Sequence, residues 1–110
     1  MEKPVKGDVV VIPFPFSDLS QTRRRPALVI ANLLGDDIIL CQITSKTVRD
    51  IYSIKLSKNE FKQGTLQQES NVRPNKIFTA DKSIVYYKAG SLQPEKTKLI
   101  IEKICEIVRN

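Results

Sequence analysis

Arg23-Arg24-Arg25-Pro26-Ala27-Leu28-Val29-Ile30-Ala31-Asn32-Leu33-Leu34-Gly35-Asp36-Asp37-Ile38-Ile39-Leu40-Cys41-Gln42-Ile43-Thr44-Ser45 is the stretch that decides the fold. Ala27 to Ala31 reads as a short apolar strand entered through Pro26, and Ile38 to Thr44 as another. Leu34-Gly35-Asp36-Asp37 between them is a hairpin-type turn, so the two strands are expected to pair antiparallel. Upstream, Gly7-Asp8 opens Val9-Val10-Val11-Ile12, whose β-branched content predicts a strand buried on both faces. Pro13 and Pro15 withhold two backbone donors, so residues 13–16 are expected to end or edge that strand. Ser17 to Arg25 is polar and reads as an exposed loop.

Downstream, Ser45 to Asp50 reads as a second loop, and Tyr52 to Leu56 alternates with period two as a half-exposed strand. Ser57 followed three residues later by Glu60 is the capping-box pattern of a short helical turn. Gly64 to Ser70 reads as loop. Asn71-Val72-Arg73 and Lys76-Ile77-Phe78 flank Pro74, which predicts a strand with a break or bulge. Thr79 to Lys82 then turns into a strand over Ile84 to Tyr87. Pro94 to Arg109 is the one convincing helix, with Pro94 in its first turn. Leu99, Ile100, Ile101, Ile104, Cys105, Ile107 and Val108 form a broad apolar face opposite Glu95, Lys96, Lys98, Glu102, Lys103 and Glu106. Several short strands and one terminal helix predict a small β-rich barrel or curled sheet.

The chain has 110 residues, 41% of them hydrophobic, which fits a single domain over 1–110 with a real core and argues against disorder. No apolar run approaches the ~18–20 residues of a spanning helix, and the start lacks a secretory signal, so a cytoplasmic protein away from membranes is expected. There is no histidine, which removes the usual neutral-pH acid/base and the commonest transition-metal ligand. Cys41 and Cys105 lie far apart and read as buried free thiols rather than a metal pair. The four glycines are isolated, so no phosphate loop forms. Any chemistry is therefore expected to need neither metal nor cofactor.

Charge points to an anionic partner. Eighteen Lys and Arg stand against twelve Asp and Glu, a formal net charge of +6. Nucleic acid ranks ahead of membrane because no basic amphipathic helix stands out; a solvated surface with ordinary solubility charge is the plain alternative. Two segments concentrate the bases at strand ends: Ser20-Gln21-Thr22-Arg23-Arg24-Arg25, and Thr44-Ser45-Lys46 with Arg49 beyond. If the two central strands pair across Gly35, Arg25 and Thr44 fall at the same end of one hairpin. A guanidinium fork and a hydroxyl side by side suit a phosphodiester. The residues alone equally allow Arg25 to pair with an acid such as Asp18, and Thr44 simply to end a strand.

The order of motifs adds a further reading. Lys6-Gly7-Asp8-Val9-Val10, then Arg24-Arg25-Pro26-Ala27-Leu28-Val29-Ile30, then Gln42-Ile43-Thr44-Ser45, resembles the MazF/PemK family of toxin endoribonucleases. Ser70 to Thr79 resembles the matching later strand, and the final helix falls where the family places one. The resemblance implies an SH3-like barrel of the MazF/PemK/CcdB type, usually a homodimer. It implies cleavage of single-stranded mRNA at short sequence contexts without metal, with the ribose 2′-OH as nucleophile and a 2′,3′-cyclic phosphate as product. Carried over by position, Arg25 is the catalytic arginine and Thr44 the catalytic threonine, with Ser45 as the alternate should the register shift by one.

In that frame Arg23, Arg24, Lys46 and Arg49 are expected to contact the RNA backbone, with Lys76 more distant. Phe16 stacks on a base or else packs with Phe14. Ser20 and Gln21 occupy a segment where relatives carry Ser-Glu-Gln; this chain lacks the acid there, which leaves the proton acceptor unassigned. The resemblance also implies an antitoxin with an acidic flexible tail, and operator DNA bound together with that antitoxin. Two alternatives remain at this point: a gyrase-poisoning toxin on the same fold, and a non-catalytic nucleic-acid-binding module.

Overall fold

Strand β1 (Asp8–Phe14) lies inside the sheet, between β2 (Arg23–Asn32) and β7 (Tyr87–Leu92). The computed structural model describes residues 2–14 and 23–110. Its other strands are β3 (Asp37–Thr44), β4 (Ile54–Leu56), β5 (Phe61–Gly64) and β6 (Ser70–Asp81), and a helix, α1 (Pro94–Arg109), ends the chain. The seven strands form one antiparallel sheet in the order β4-β6-β3-β2-β1-β7-β5, curled by register shifts at four of its pairings. This is the mainly β architecture with a C-terminal helix that the strand pattern predicts.

The unbroken apolar runs are explained by burial on both faces. Val9, Leu28, Cys41 and Ile43 point into a core that Ile100 and Ile104 of α1 cover. Val10, Ile12, Ala27, Val29, Ile38 and Leu40 point the other way into a second core. Neighbouring residues on one strand thus fill opposite cores, and each fully buried aliphatic side chain contributes about 1.5–3 kcal/mol.

The β2–β3 hairpin forms as expected, turning through Gly35 at φ +79°. The anticipated break at Pro74 is a bulge: Cys41 pairs with Ile77 but Gln42 pairs with Arg73, so residues 74–76 are inserted on one side. Gly64 and Gly90 bring β5 and β7 together so closely that a Cβ on Gly90 would stand 2.4 Å from the Gln63 carbonyl oxygen.

Several expectations need correction. β1 runs to Phe14, within the expected end at residues 13–16, and Phe14 still pairs with Arg23 on β2. Arg23 to Arg25 are therefore strand residues, not loop. No strand covers Ile84 to Tyr86; Lys82–Ile84 is a 3-10 turn, and the last strand runs over Tyr87–Leu92. β6 runs on to Asp81, past the expected turn at Thr79. β4 is limited to Ile54–Leu56, and β5 occupies Phe61–Gly64, where polar residues hide the strand pattern. The capping box does form a 3-10 turn, with Glu60 Oε1 accepting from the Ser57 amide at 2.7 Å. α1 buries only Thr97, Ile100 and Ile104, and leaves Leu99 and Val108 exposed. Cys41 is buried but Cys105 is exposed, turned away from the sheet by its place directly after the buried Ile104.

Candidate nucleic-acid interface

The start of β2 and the end of β3 lie together. Ala27 is paired with Gln42, and the same register carried two residues further sets Arg25 opposite Thr44. Both side chains are half-buried. They line two cavities at once. A cavity of about 440 Å³ continues over the segment after β3, where Lys46, Arg49 and Asp50 join Arg25, Thr44 and Arg73 of β6. One of about 310 Å³ lies on the other side, where Arg24, Ser45, Gln67 and Tyr87 join the same pair. Arg25, Ile43 and Thr44 are the residues common to both, so they form the ridge between them.

The ridge and the larger cavity are held by specific bonds. The Thr44 hydroxyl oxygen accepts from the Lys46 amide at 3.2 Å, which leaves its own proton for a ligand. The Asn71 side-chain amide donates to the Lys46 carbonyl at 3.2 Å and ties the segment to β6. Asp50 anchors the other end: one carboxylate oxygen accepts from the amides of Tyr52 and Ser53, each at 2.9 Å. The other accepts from Arg73 Nη2 at 3.3 Å. Burial works against ionisation of Asp50, but the Ser53 and Tyr52 amides and the Arg73 guanidinium outweigh it and hold its pKa below the usual carboxylate range. Asp50 is thus built to stay ionised. Beneath the cavity, the Cys41 thiol donates to the Arg73 carbonyl at 2.9 Å. Burial pushes this thiol up to about 12, so it is inert as a nucleophile.

The sequence-predicted residues are distributed unequally. Arg25, Thr44, Lys46 and Arg49 converge on the larger cavity; Arg24 and Ser45 reach the smaller one. The Arg24 guanidinium also stacks 4.9 Å from the centre of the Tyr86 ring. Arg23 is exposed at the start of β2, opposite Phe14, and lines neither cavity. Lys76 lies in the β6 bulge and lines neither. Phe16, Ser20 and Gln21, with Asp18, lie outside the described residues. Phe14 meets Phe78 at 6.3 Å between ring centres and lines the larger cavity.

Residue-by-residue reading missed Arg73 and Asp50. The available signals were an arginine directly before the strand-breaking Pro74, and a lone acid after Lys46 and Arg49. Among the described residues, no group of three or more Cys, Asp or Glu could hold a metal ion. No described helix is long and apolar enough to cross a membrane.

Residues 5–108 match the profile of the PemK-like, MazF-like toxins of type II toxin–antitoxin systems. The chain belongs to that family. No curated protein sequence matches this PemK/MazF-family member. Its fold is similar to that of MazF from Deinococcus radiodurans, at 18% identity and a TM-score of 0.78 over the whole of both chains. A chain of the MazE–MazF complex from the same organism matches at 17% identity and a TM-score of 0.78, covering 97% of each chain. A mycobacterial endoribonuclease in complex with its cognate antitoxin matches at 14% identity and 0.74, covering 96% of this chain and 94% of the other. At these identities the likeness establishes the shared fold of the PemK/MazF toxins.

Proposed function

We propose that the chain is a metal-independent endoribonuclease that cleaves single-stranded mRNA and so arrests translation. The observation that carries this reading is the ridge of Arg25 and Thr44 between two cavities, one of them with four cations and one carboxylate in its wall. A strand laid across the ridge would set one nucleotide in each cavity and its phosphodiester against Arg25 and Thr44. The 2′-oxygen then attacks the adjacent phosphorus, loses its proton, and expels the 5′-oxygen, which takes one up. The products are a 2′,3′-cyclic phosphate and a 5′-hydroxyl. Arg25 cannot serve as the base, since a guanidinium stays protonated in proteins. Its fork holds the equatorial oxygens as their charge grows, while Thr44, already accepting from Lys46, donates its proton to one of them.

The basic cavity wall also suits an acidic antitoxin segment, and neighbours of this fold are known in complex with antitoxins. Operator DNA is read by the toxin–antitoxin complex. A second copy would cover the exposed Leu99 and Val108 of α1, and sedimentation as a monomer at micromolar concentration would refute the homodimer. The decisive experiment incubates a long single-stranded RNA with the protein in EDTA and maps the ends. Cut products with 2′,3′-cyclic phosphates are expected. Intact RNA in the presence of folded protein sinks the nuclease reading.

A further inference from the structure

Arg73 is a cation of the larger cavity to which the nuclease reading assigns no individual role. Its backbone is fixed by the Cys41 thiol on one side and by the bulge beginning at Pro74 on the other. Its guanidinium is partly covered, with 24% of the side chain exposed, and pairs with Asp50 at 3.3 Å. That one contact leaves most of its donors unspent. Arg73 Nε is buried with no hydrogen-bond partner among the described residues. An orphaned buried donor costs about 1–3 kcal/mol and calls for an explanation, such as a bound water or ion or a role in the chemistry.

The surroundings state which ligand. Arg25, Lys46, Arg49 and Arg73 stand in one concave wall against the single carboxylate of Asp50. Four cations within one cavity repel each other unless an anion enters, and an arginine fork matches a phosphate in shape as well as charge. Asp50, kept ionised by the Tyr52 and Ser53 amides, is placed to aim the guanidinium.

We propose that Arg73 binds a backbone phosphate of the RNA next to the one cleaved at Arg25, and that Asp50 is the positioning residue that acts through it. This rests on the nuclease reading and gives the larger cavity its occupant, the nucleotide whose phosphate Arg73 grips. Arg25 and Arg73 then hold two consecutive phosphates, which sets the register of the strand over Thr44.

The test measures binding of an uncleavable RNA, deoxy-substituted at the cut site, across salt concentrations, together with cleavage of the natural strand. Each phosphate contact on a single strand contributes about 0.7 to the slope of log affinity against log salt. Arg73→Gln is expected to flatten the slope by that amount, so a rise from ~50 to ~200 mM salt weakens the parent about 2.6-fold more than the variant. Arg73→Lys keeps the charge and the slope but loses the fork, with at least a fivefold fall in kcat. Asp50→Asn keeps the slope, because Arg73 is still charged, and also lowers kcat at least fivefold.

Cooperative melting of each variant checks folding, and Arg73→Lys serves should Arg73→Gln not fold. An unchanged slope in folded Arg73→Gln, or full activity in Arg73→Lys and Asp50→Asn, overturns the assignment while leaving the nuclease intact. A parent protein that neither binds nor cleaves the RNA overturns the nuclease reading itself.

Discussion

Arg23, Arg24 and Arg25 are consecutive in the chain, carry the same charge, and are expected to fail in three different ways when each is replaced by alanine. Alternation along β2 sets Arg24 apart from its neighbours, and position along the strand sets Arg23, at its start, apart from Arg25. Arg25 lines both cavities, Arg24 lines the smaller one and stacks on Tyr86, and Arg23 lines neither. Losing a preorganised donor at the phosphoryl oxygens costs roughly 2.7–4 kcal/mol of transition-state stabilisation, a fall of about 10²–10³ in kcat. Arg25→Ala should show that loss in kcat, with only the smaller fall in affinity that goes with one lost phosphate contact. Arg24→Ala gives up a stacked cation at the cavity rim, worth about 0.5–1 kcal/mol at such a site. Its KM should rise by less than about tenfold while kcat holds. Arg23→Ala removes one exposed charge, screened over a Debye length of about 8 Å at physiological salt. Its kcat/KM should change less than about threefold, on the scale of the ~0.2–1 kcal/mol typical of exposed charges. Single-turnover cleavage of a defined RNA in EDTA, over a range of enzyme concentrations up to saturation, separates the three. Equal losses for all three variants would show that the run acts as bulk positive charge, and would refute the geometric argument.

Further predictions concern the ridge and its frame. Thr44→Val keeps the β-branched shape but removes the hydroxyl that accepts from the Lys46 amide. It should cut kcat roughly ten- to a hundredfold with no loss of melting temperature beyond a few degrees, and a wild-type rate would remove Thr44 from the mechanism. Gly90→Ala forces a Cβ to within 2.4 Å of the Gln63 carbonyl, an overlap expected to destabilise by about 3 kcal/mol and lower the melting temperature by more than ~10 °C. Gly35→Ala meets open space and pays only for its φ of +79°, about 1–2 kcal/mol; thermal melts rank the two. Burial opposes ionisation of Glu60, but the Lys96 ammonium at 2.7 Å and the Ser57 amide keep its pKa below the ordinary value. A depressed carboxylate stabilises fully above the unfolded pKa of about 4.3 and loses that contribution as pH falls through the folded value. Glu60→Gln should therefore be less stable than the parent by about 1 kcal/mol at neutral pH, and denaturant melts of the two should converge in acid. A gap that persists in acid would place the effect elsewhere.

Much of this was readable in one dimension because the signals are local. Val9 to Ile12 announces two-sided burial by β-branching alone, Gly35 with two aspartates announces a hairpin, and Pro74 announces the bulge. Elements without such marks were missed. β7 carries Gly90 and Ser91, and β5 is three-quarters polar or glycine, so both owe their strand state to the partner they meet rather than to propensity. The breadth of the apolar face on α1 was overread: its sequence shows which residues are apolar, but the sheet covers only the stripe around Ile100 and Ile104.

The same division runs through the candidate site. Arg25 and Thr44 were legible from sequence because a hairpin is a local rule: two strands and a short turn place their far ends together, whatever the rest of the chain does. Arg73 and Asp50 were not, because they stand 23 positions apart in the chain. Their meeting depends on the β3–β6 pairing, on the bulge at residues 74–76, and on the two amides that hold Asp50. Composition and local pattern determined that the chain is basic, β-rich and provided with a guanidinium–hydroxyl pair at one hairpin end. Only the tertiary structure decided which bases face a common cavity, since strand pairing, not sequence proximity, brings Arg25 against the end of β3 and leaves Arg23 exposed at the start of β2.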